Sequence, residues 1–334
     1  MRPRVASEKK GGRKKASVAE PELVPQLKKL VEAHTAGSPV EPGRVWTSRS
    51  CASFSADLAE LGLGVCANTV DRLLRNELGL SRRKMEKTLA LGESADREAQ
   101  FQRMNQLKRY FLARGWPVLS IDTKKKELLG RFERPGQAWT DGRSRAWDHD
   151  FPSSSWGKVI PYGVYDVAAN EALVYLAQGA DTGALAGDAI RRWWYRLGQR
   201  RYEATSPILL LADCGGSNGY RVPLFRQQLH QLSQRLGRTF RVCHLPPYCS
   251  KYNPIDHRLF CHLSRSLRAV QLTSVDALQE SLQQTTTQTG LRVVCERSRK
   301  EYTNGIKANP KFLANEPTQR DPFLPAYNYK FSLN

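Results

Sequence analysis

The apolar positions divide the chain into two textures. Through residues 21–80 they recur at helical spacing: Leu23, Leu27, Leu30 and Val31, then Phe54, Leu58 and Leu61. Gly62 and Gly64 interrupt the pattern. A further amphipathic run opens at Asn68, a candidate N-cap, with Val70, Leu73 and Leu74 facing inward. Helix, glycine-bearing turn and helix resembles a helix-turn-helix, and Arg72, Arg75 and Asn76 fall on the polar face of its last helix. A long polar helix over residues 96–114 then reads as a link between domains.

After Gly115 the period changes. Residues 118–121 form a short apolar strand, and residues 127–132 are suited to pair with it. Residues 139–158, rich in Asp, Gly, Ser and Trp, read as a loop insertion. Two strands follow at 162–167 and 172–177 around a tight turn at Ala169 and Asn170. The pattern then predicts a helix at 182–197, a strand at 208–212, a helix at 222–236 and a strand at 240–244. Further helices are expected at 254–268 and 275–284. A meander of strands followed by strands alternating with helices predicts a mixed α/β sheet in ribonuclease H-like order, with five strands and flanking helices. Trp193 and Trp194 sit on an amphipathic helix and are expected in the core.

These patterns give five segments: a basic arm (1–20), a helical, helix-turn-helix-like DNA-binding domain (21–95), a linker helix (96–114), a sheet-based catalytic domain (115–305) and a C-terminal tail (306–334). The chain has 334 residues, 40% of them hydrophobic and 25% charged, which is globular composition. No apolar run approaches the roughly 20 residues needed to span a bilayer, and no secretory signal opens the chain, so a cytoplasmic, nucleoid-associated protein is expected. The formal net charge of +20 draws polyanions, with DNA the leading partner. Arg2, Arg4, Lys9, Lys10, Arg13, Lys14 and Lys15 crowd the first segment. The seven cysteines form no C-x-x-C pair, which argues against a disulfide framework or a zinc ribbon and for free thiols.

Three aspartates bring chemistry into this frame. Asp122 ends the strand V-L-S-I-D and Asp213 ends I-L-L-L-A-D. In an open α/β sheet, ligands gather at the carboxyl ends of neighbouring strands. An acid after a run of buried apolar residues is costly unless paired or metal-bound, although turn capping is the simpler alternative. Asp256 opens a helix after Asn253 and Pro254, where it also suits the helix dipole. Phosphodiester cleavage by two divalent cations needs carboxylates from separate positions to converge. Asp166, at the end of another strand, is the alternative fourth acid.

Several motifs then occur in order: D-T-K-K-K-E-L-L-G (122–130), H-D-F-P (149–152), I-P-Y-G-V-Y-D (160–166), I-R-R-W-W (190–194), A-D-C-G-G-S-N-G (212–219) and P-P-Y-C-S-K-Y-N-P-I-D-H-R-L-F (246–260). T-T-T-Q-T-G-L-R-V (285–293) and Y-T-N-G-I-K (302–307) follow. Together they resemble the ISAzo-type, Rhodopirellula-type bacterial insertion-sequence DDE transposases, allied to the mariner-like enzymes. The resemblance implies a ribonuclease H-like catalytic domain and two magnesium or manganese ions held by Asp122, Asp213 and Asp256. It implies cleavage at the terminal inverted repeats of an element, strand transfer into target DNA, and a homo-oligomer on DNA. The chain departs from the family pattern in Asp256, where glutamate is usual, in Cys214, where glycine is usual, and in lacking a histidine before Asp181. Relatives often carry an additional N-terminal helix-turn-helix, so a truncated copy is a further expectation. The alternatives are a nuclease without strand transfer and an inactive DNA-binding remnant.

Around the acids, Lys124, Lys125 and Lys126 are candidate phosphate contacts. Asn218, in the glycine-rich loop after Asp213, and Lys251 and Arg258, flanking Asp256, are candidate DNA contacts with Arg72 and Arg75. His257 reads as a structural hydrogen-bonding group.

Overall fold

The computed structural model describes residues 15–33, 47–83, 95–142 and 144–333, and the chain divides into two units, Met1–Thr88 and Leu89–Asn334. The basic arm through Lys14 lies outside the described residues. In the first unit, α1 (Ala16–Ala19), α2 (Leu23–Ala33), α3 (Cys51–Glu60) and α4 (Ala67–Asn76) enclose Leu23, Leu27, Val31, Phe54, Leu58, Val70 and Leu73. The Ser50 hydroxyl caps α3 by accepting from the Ser53 N–H. Two expectations shift here. Cys66, not Asn68, occupies the N-cap position of α4, and Leu61 lies exposed just beyond α3. Arg72 and Arg75 both stand exposed on α4, and Arg75 is ion-paired with Asp71 one turn earlier.

The second unit opens with α5 (Arg97–Ala113). This helix is not a bare link: Met104 and Phe111 pack with Val118, Leu209, Leu211, Cys243 and Leu245 on one face of a sheet. Its strands are β1 (Val118–Thr123), β2 (Glu127–Leu129), β3 (Gly157–Asp166), β4 (Glu171–Gly179), β5 (Ile208–Ala212), β6 (Phe240–His244), β7 (Arg292–Tyr302), β8 (Gln319–Arg320) and β9 (Asn328–Phe331). They lie in the order β7-β4-β3-β1-β5-β6-β9-β8, and β2 pairs with β3. The meander β1-β3-β4 is antiparallel, β5 joins β1 in parallel, and β6 joins β5 in parallel. This is the ribonuclease H-like centre.

Three strands lie beyond those the sequence pattern predicts. β7 lies parallel to β4, and β9 lies antiparallel to β6 with β8 beyond it. The segment expected as a tail therefore supplies part of the sheet, because Tyr329 and Phe331 alternate with Lys330 and bury their rings. The 127–132 segment pairs with β3 rather than β1, whose two edges are already taken by β3 and β5.

One face is covered by α6 (Gly183–Arg196) and α7 (Pro223–Leu236), with Trp193 fully buried and Trp194 nearly so. On the other face a π-helical turn (Asp256–Phe260), α8 (Cys261–Ser266) and α9 (Val275–Gln283) bury Ile255, Leu259, Leu263, Leu278 and Leu282. The expected 254–268 helix is thus a wide turn followed by a short helix. A last helix, α10 (Pro310–Ala314), precedes β8. All seven cysteines are free, and no described helix is long and apolar enough to cross a membrane.

Candidate catalytic site

Parallel pairing of β1 with β5 sets Ile121 beside Ala212. The next residues, Asp122 and Asp213, therefore leave neighbouring strands side by side, at the roughly 4.8 Å spacing of paired strands. Each follows a run of buried apolar positions, so each carboxylate emerges where the core ends.

Asp256 is brought to this edge by a buried polar relay. Ser120 interrupts the apolar strand β1 and is fully buried. Its hydroxyl donates to Asn253 Oδ1 and accepts from the Ile255 N–H at 3.1 Å. Asn253, also fully buried, donates from Nδ2 to Asp213 Oδ1 at 3.0 Å. The Asp256 N–H then donates to the Asn253 carbonyl at 3.1 Å. One side chain of β1 thus ties the turn carrying the third acid to the second. Close packing helps: Gly163, register partner of Asp122, has the Ile255 and Phe260 side chains where a Cβ would stand, at 2.7 Å.

Asp213 is held from behind as well. The buried His244 ring donates from Nδ1 to the Asp213 carbonyl at 2.9 Å, which leaves Nε2 to accept from the Tyr329 hydroxyl at 3.0 Å. Burial pushes His244 down to about 4, so the ring is neutral. Cys214, in the family's usual glycine position, donates its thiol to the Leu245 carbonyl.

The acids act on one another. Burial pushes Asp122 up to about 7, with the Asp213 charge adding to it, then Asp256 and Asp181, against one opposing hydrogen bond from the Thr123 N–H at 2.8 Å. Burial pushes Asp213 up to about 6, reinforced by Asp256 and opposed by the Asn253 amide. Asp256 is raised by burial and lowered by His257. Among the described residues no three His, Cys, Asp or Glu side chains stand close enough to enclose an ion. Neighbouring carboxylates repel, which adds to the upward shifts of Asp122 and Asp213. The donors fit divalent cations all the same: they are hard oxygens, they share one edge, and buried oxygens of Thr123, Tyr162, Asp181 and Ser217 lack hydrogen-bond partners.

Other expected residues fall differently. Lys124 is buried and ion-paired with Glu127, which also takes Arg134 at 2.6 Å. Burial alone would push Glu127 up, but the two cations bring it below its ordinary value. Lys124 thus stands buried and engaged with Glu127, unlike the exposed Lys125 and Lys126. Asn218 is also buried, and its Nδ2 donates to the Ile121 carbonyl at 3.3 Å, fastening the loop after Asp213 to the end of β1. Lys125, Lys126, Lys251 and Arg258 are exposed, and the Lys251 ammonium stands 5.1 Å from the Tyr252 ring centre. His257 bonds to the Lys251 carbonyl. Asp166 is not a fourth acid of the site. Its carboxylate accepts from the Ala168 and Ala169 N–H groups and from the Tyr202 hydroxyl, capping the β3–β4 turn.

The sequence patterns do not single out Ser120, His244 or Tyr329. A lone polar residue within V-L-S-I is the available signal for the first. For His244 and Tyr329 the signal lies in a pairing between distant segments.

Residues 26–332 match the family described as Rhodopirellula transposase DDE domain. No curated protein matches the chain. Among solved structures it is similar to a Mos1 transposase paired-end complex with the left transposon end, at 16% identity over 84% of this chain and 74% of that one, with a TM-score of 0.41. It is also similar to the Mos1 strand transfer complex (15%, 83% and 72%, TM-score 0.42) and to a Mos1 mariner paired-end complex with Mn (14%, 83% and 73%, TM-score 0.42). With its family match running over nearly the whole chain, this protein belongs to the Rhodopirellula transposase DDE-domain family and is a DDE-type DNA transposase.

Proposed function

We propose that Asp122, Asp213 and Asp256 hold two divalent cations, magnesium or manganese, and that the protein cuts DNA at the ends of an insertion sequence and joins those ends to target DNA. The observation that carries this reading is the placement of Asp122 and Asp213 side by side on β1 and β5, with Asp256 tethered to them through Ser120 and Asn253. Bound cations would activate the attacking oxygen and stabilise the leaving one. The chain's own residues do the rest. Asn253 orients the Asp213 carboxylate, His244 fixes its backbone, and Asn218 holds the end of β1 under Asp122. Exposed Lys125, Lys126, Lys251 and Arg258 offer contacts to phosphates flanking the scissile bond.

In the first step water attacks phosphorus and the bond to the 3′ oxygen breaks, leaving a 3′-hydroxyl. In the second that hydroxyl attacks a target phosphodiester and displaces the target's own 3′ oxygen. Both are direct displacements without a covalent protein intermediate. Full-length protein, Mn²⁺ or Mg²⁺ and labelled DNA bearing the element's ends should give nicked and then joined products. Asp122→Ala should abolish both, and undiminished nicking by that variant would refute the assignment.

A further inference from the structure

The C-terminal edge of the sheet carries a fourth acid. β4 runs parallel to β1 with β3 between them, so the residues that follow β4 emerge at the same edge as Asp122 and Asp213. Asp181 lies two residues past the end of β4. Its backbone is fixed on both sides. Gly179 takes a left-handed φ of 87°, the Ala180 N–H donates to the Tyr302 carbonyl at 2.6 Å, and the Thr182 hydroxyl caps α6 by accepting from Leu185. Asp181 Oδ1 is buried and has no hydrogen-bond partner.

Tyr162 stands on the strand between. It pairs with Thr123 on β1 and with Tyr175 on β4, and it is fully buried, yet its hydroxyl has no partner. A buried hydroxyl left unpaired costs about 1–3 kcal/mol, so an orphan at this depth asks for a ligand. Its surroundings are acidic: the charges of Asp122 and Asp181 both bear on it. Two strand spacings separate the backbones of β1 and β4, roughly 10 Å, too far for Asp181 and Asp122 to share one inner ligand shell. The Asp122 and Asp181 charges act on one another and on the Tyr162 hydroxyl, so the two acids are near enough to share a hydrated cation.

We propose that Asp181 is a fourth carboxylate of the metal centre, acting through the water shell of the cation held by Asp122, with the Tyr162 hydroxyl donating into the same shell. This rests on the metal-site reading above. Both are positioning residues: neither bonds to DNA, and each fixes the orientation of what Asp122 holds. Partners of this kind commonly change metal affinity about 10- to 100-fold.

The test is a Mn²⁺ titration of the full-length chain, with free Mn²⁺ followed by electron paramagnetic resonance and folding checked by thermal unfolding. Asp181→Asn and Tyr162→Phe should each raise the half-saturating Mn²⁺ concentration about 10-fold or more. Asp122→Asn, titrated in parallel, should remove at least one ion. If folded Asp181→Asn titrates like wild type while Asp122→Asn loses an ion, the fourth carboxylate is refuted and the three-acid site stands. If Asp122→Asn also titrates like wild type, the metal-site reading falls and this inference with it. Should Asp181→Asn fail to fold, Tyr162→Phe decides between the same outcomes, since it removes one oxygen and keeps the ring.

Discussion

At the scale of single residues, the site stores electrostatic conflict. Asp122, pushed up to about 7, and Asp213, pushed up to about 6, hold protons that the unfolded chain would release near pH 4. Between those values the folded state binds more protons than the unfolded state, so stability falls as pH rises. In chelator, the melting temperature should therefore decline from about pH 4 to about pH 7 by more in wild type than in Asp122→Asn. Above that range, added Mn²⁺ should raise it in wild type and much less in the variant. A wild-type profile that matches Asp122→Asn in chelator would show that burial does not strain this carboxylate. His244 has the opposite dependence. Its depressed value means that its contribution is complete above its ordinary titration near 6.5 and is lost as pH falls toward 4.

At the scale of elements, the third acid depends on how closely the 253–260 turn approaches β3. Gly163 permits that approach, and a methyl group there meets Ile255 and Phe260 at 2.7 Å. Gly163→Ala should destabilise the unit by about 1–3 kcal/mol and move Asp256 away from Asp122 and Asp213. Cleavage should fall more than stability alone explains, measured at a temperature where the variant remains folded. Retained cleavage at wild-type rate would mean that Asp256 is not positioned by this packing. The elements also show what can be read from sequence. β1 and β5 are legible because a run of apolar residues precedes an acid. β7 is not, since its second half reads E-R-S-R-K-E-Y and only its parallel contact with β4 makes it a strand. β9 offers only two alternating aromatics, too few for a periodic signal. Lys124 looks solvated within a run of three lysines, and only Glu127 and the more distant Arg134 explain its burial. The three candidate acids stand out by position and motif, but the relay through Ser120 and Asn253 joins residues 133 positions apart.

At the scale of the molecule, the net charge of +20 makes any DNA complex depend on counterion release. Binding of the full chain to an end-containing duplex should weaken linearly in log–log terms as salt rises. Replacing a single phosphate contact should lower the slope by about 1. Arg72→Ala on exposed α4 should show that change, whereas Lys124→Ala should leave the slope unaltered because this ammonium already neutralises Glu127. An unchanged slope in Arg72→Ala would remove α4 from the DNA surface.

The pairing of β6 with β9 also bears on when the support behind Asp213 forms. His244, which steadies Asp213, takes its own hydrogen bond from Tyr329. Ribosomes add about 5–20 residues per second, so the strand that completes this support is made on the order of ten seconds after Asp213 itself. During that interval a nascent chain carries its first two acids without the brace behind the second. Coupling the brace to β9 makes the support behind Asp213 wait for that strand, and a chain interrupted before Tyr329 lacks it.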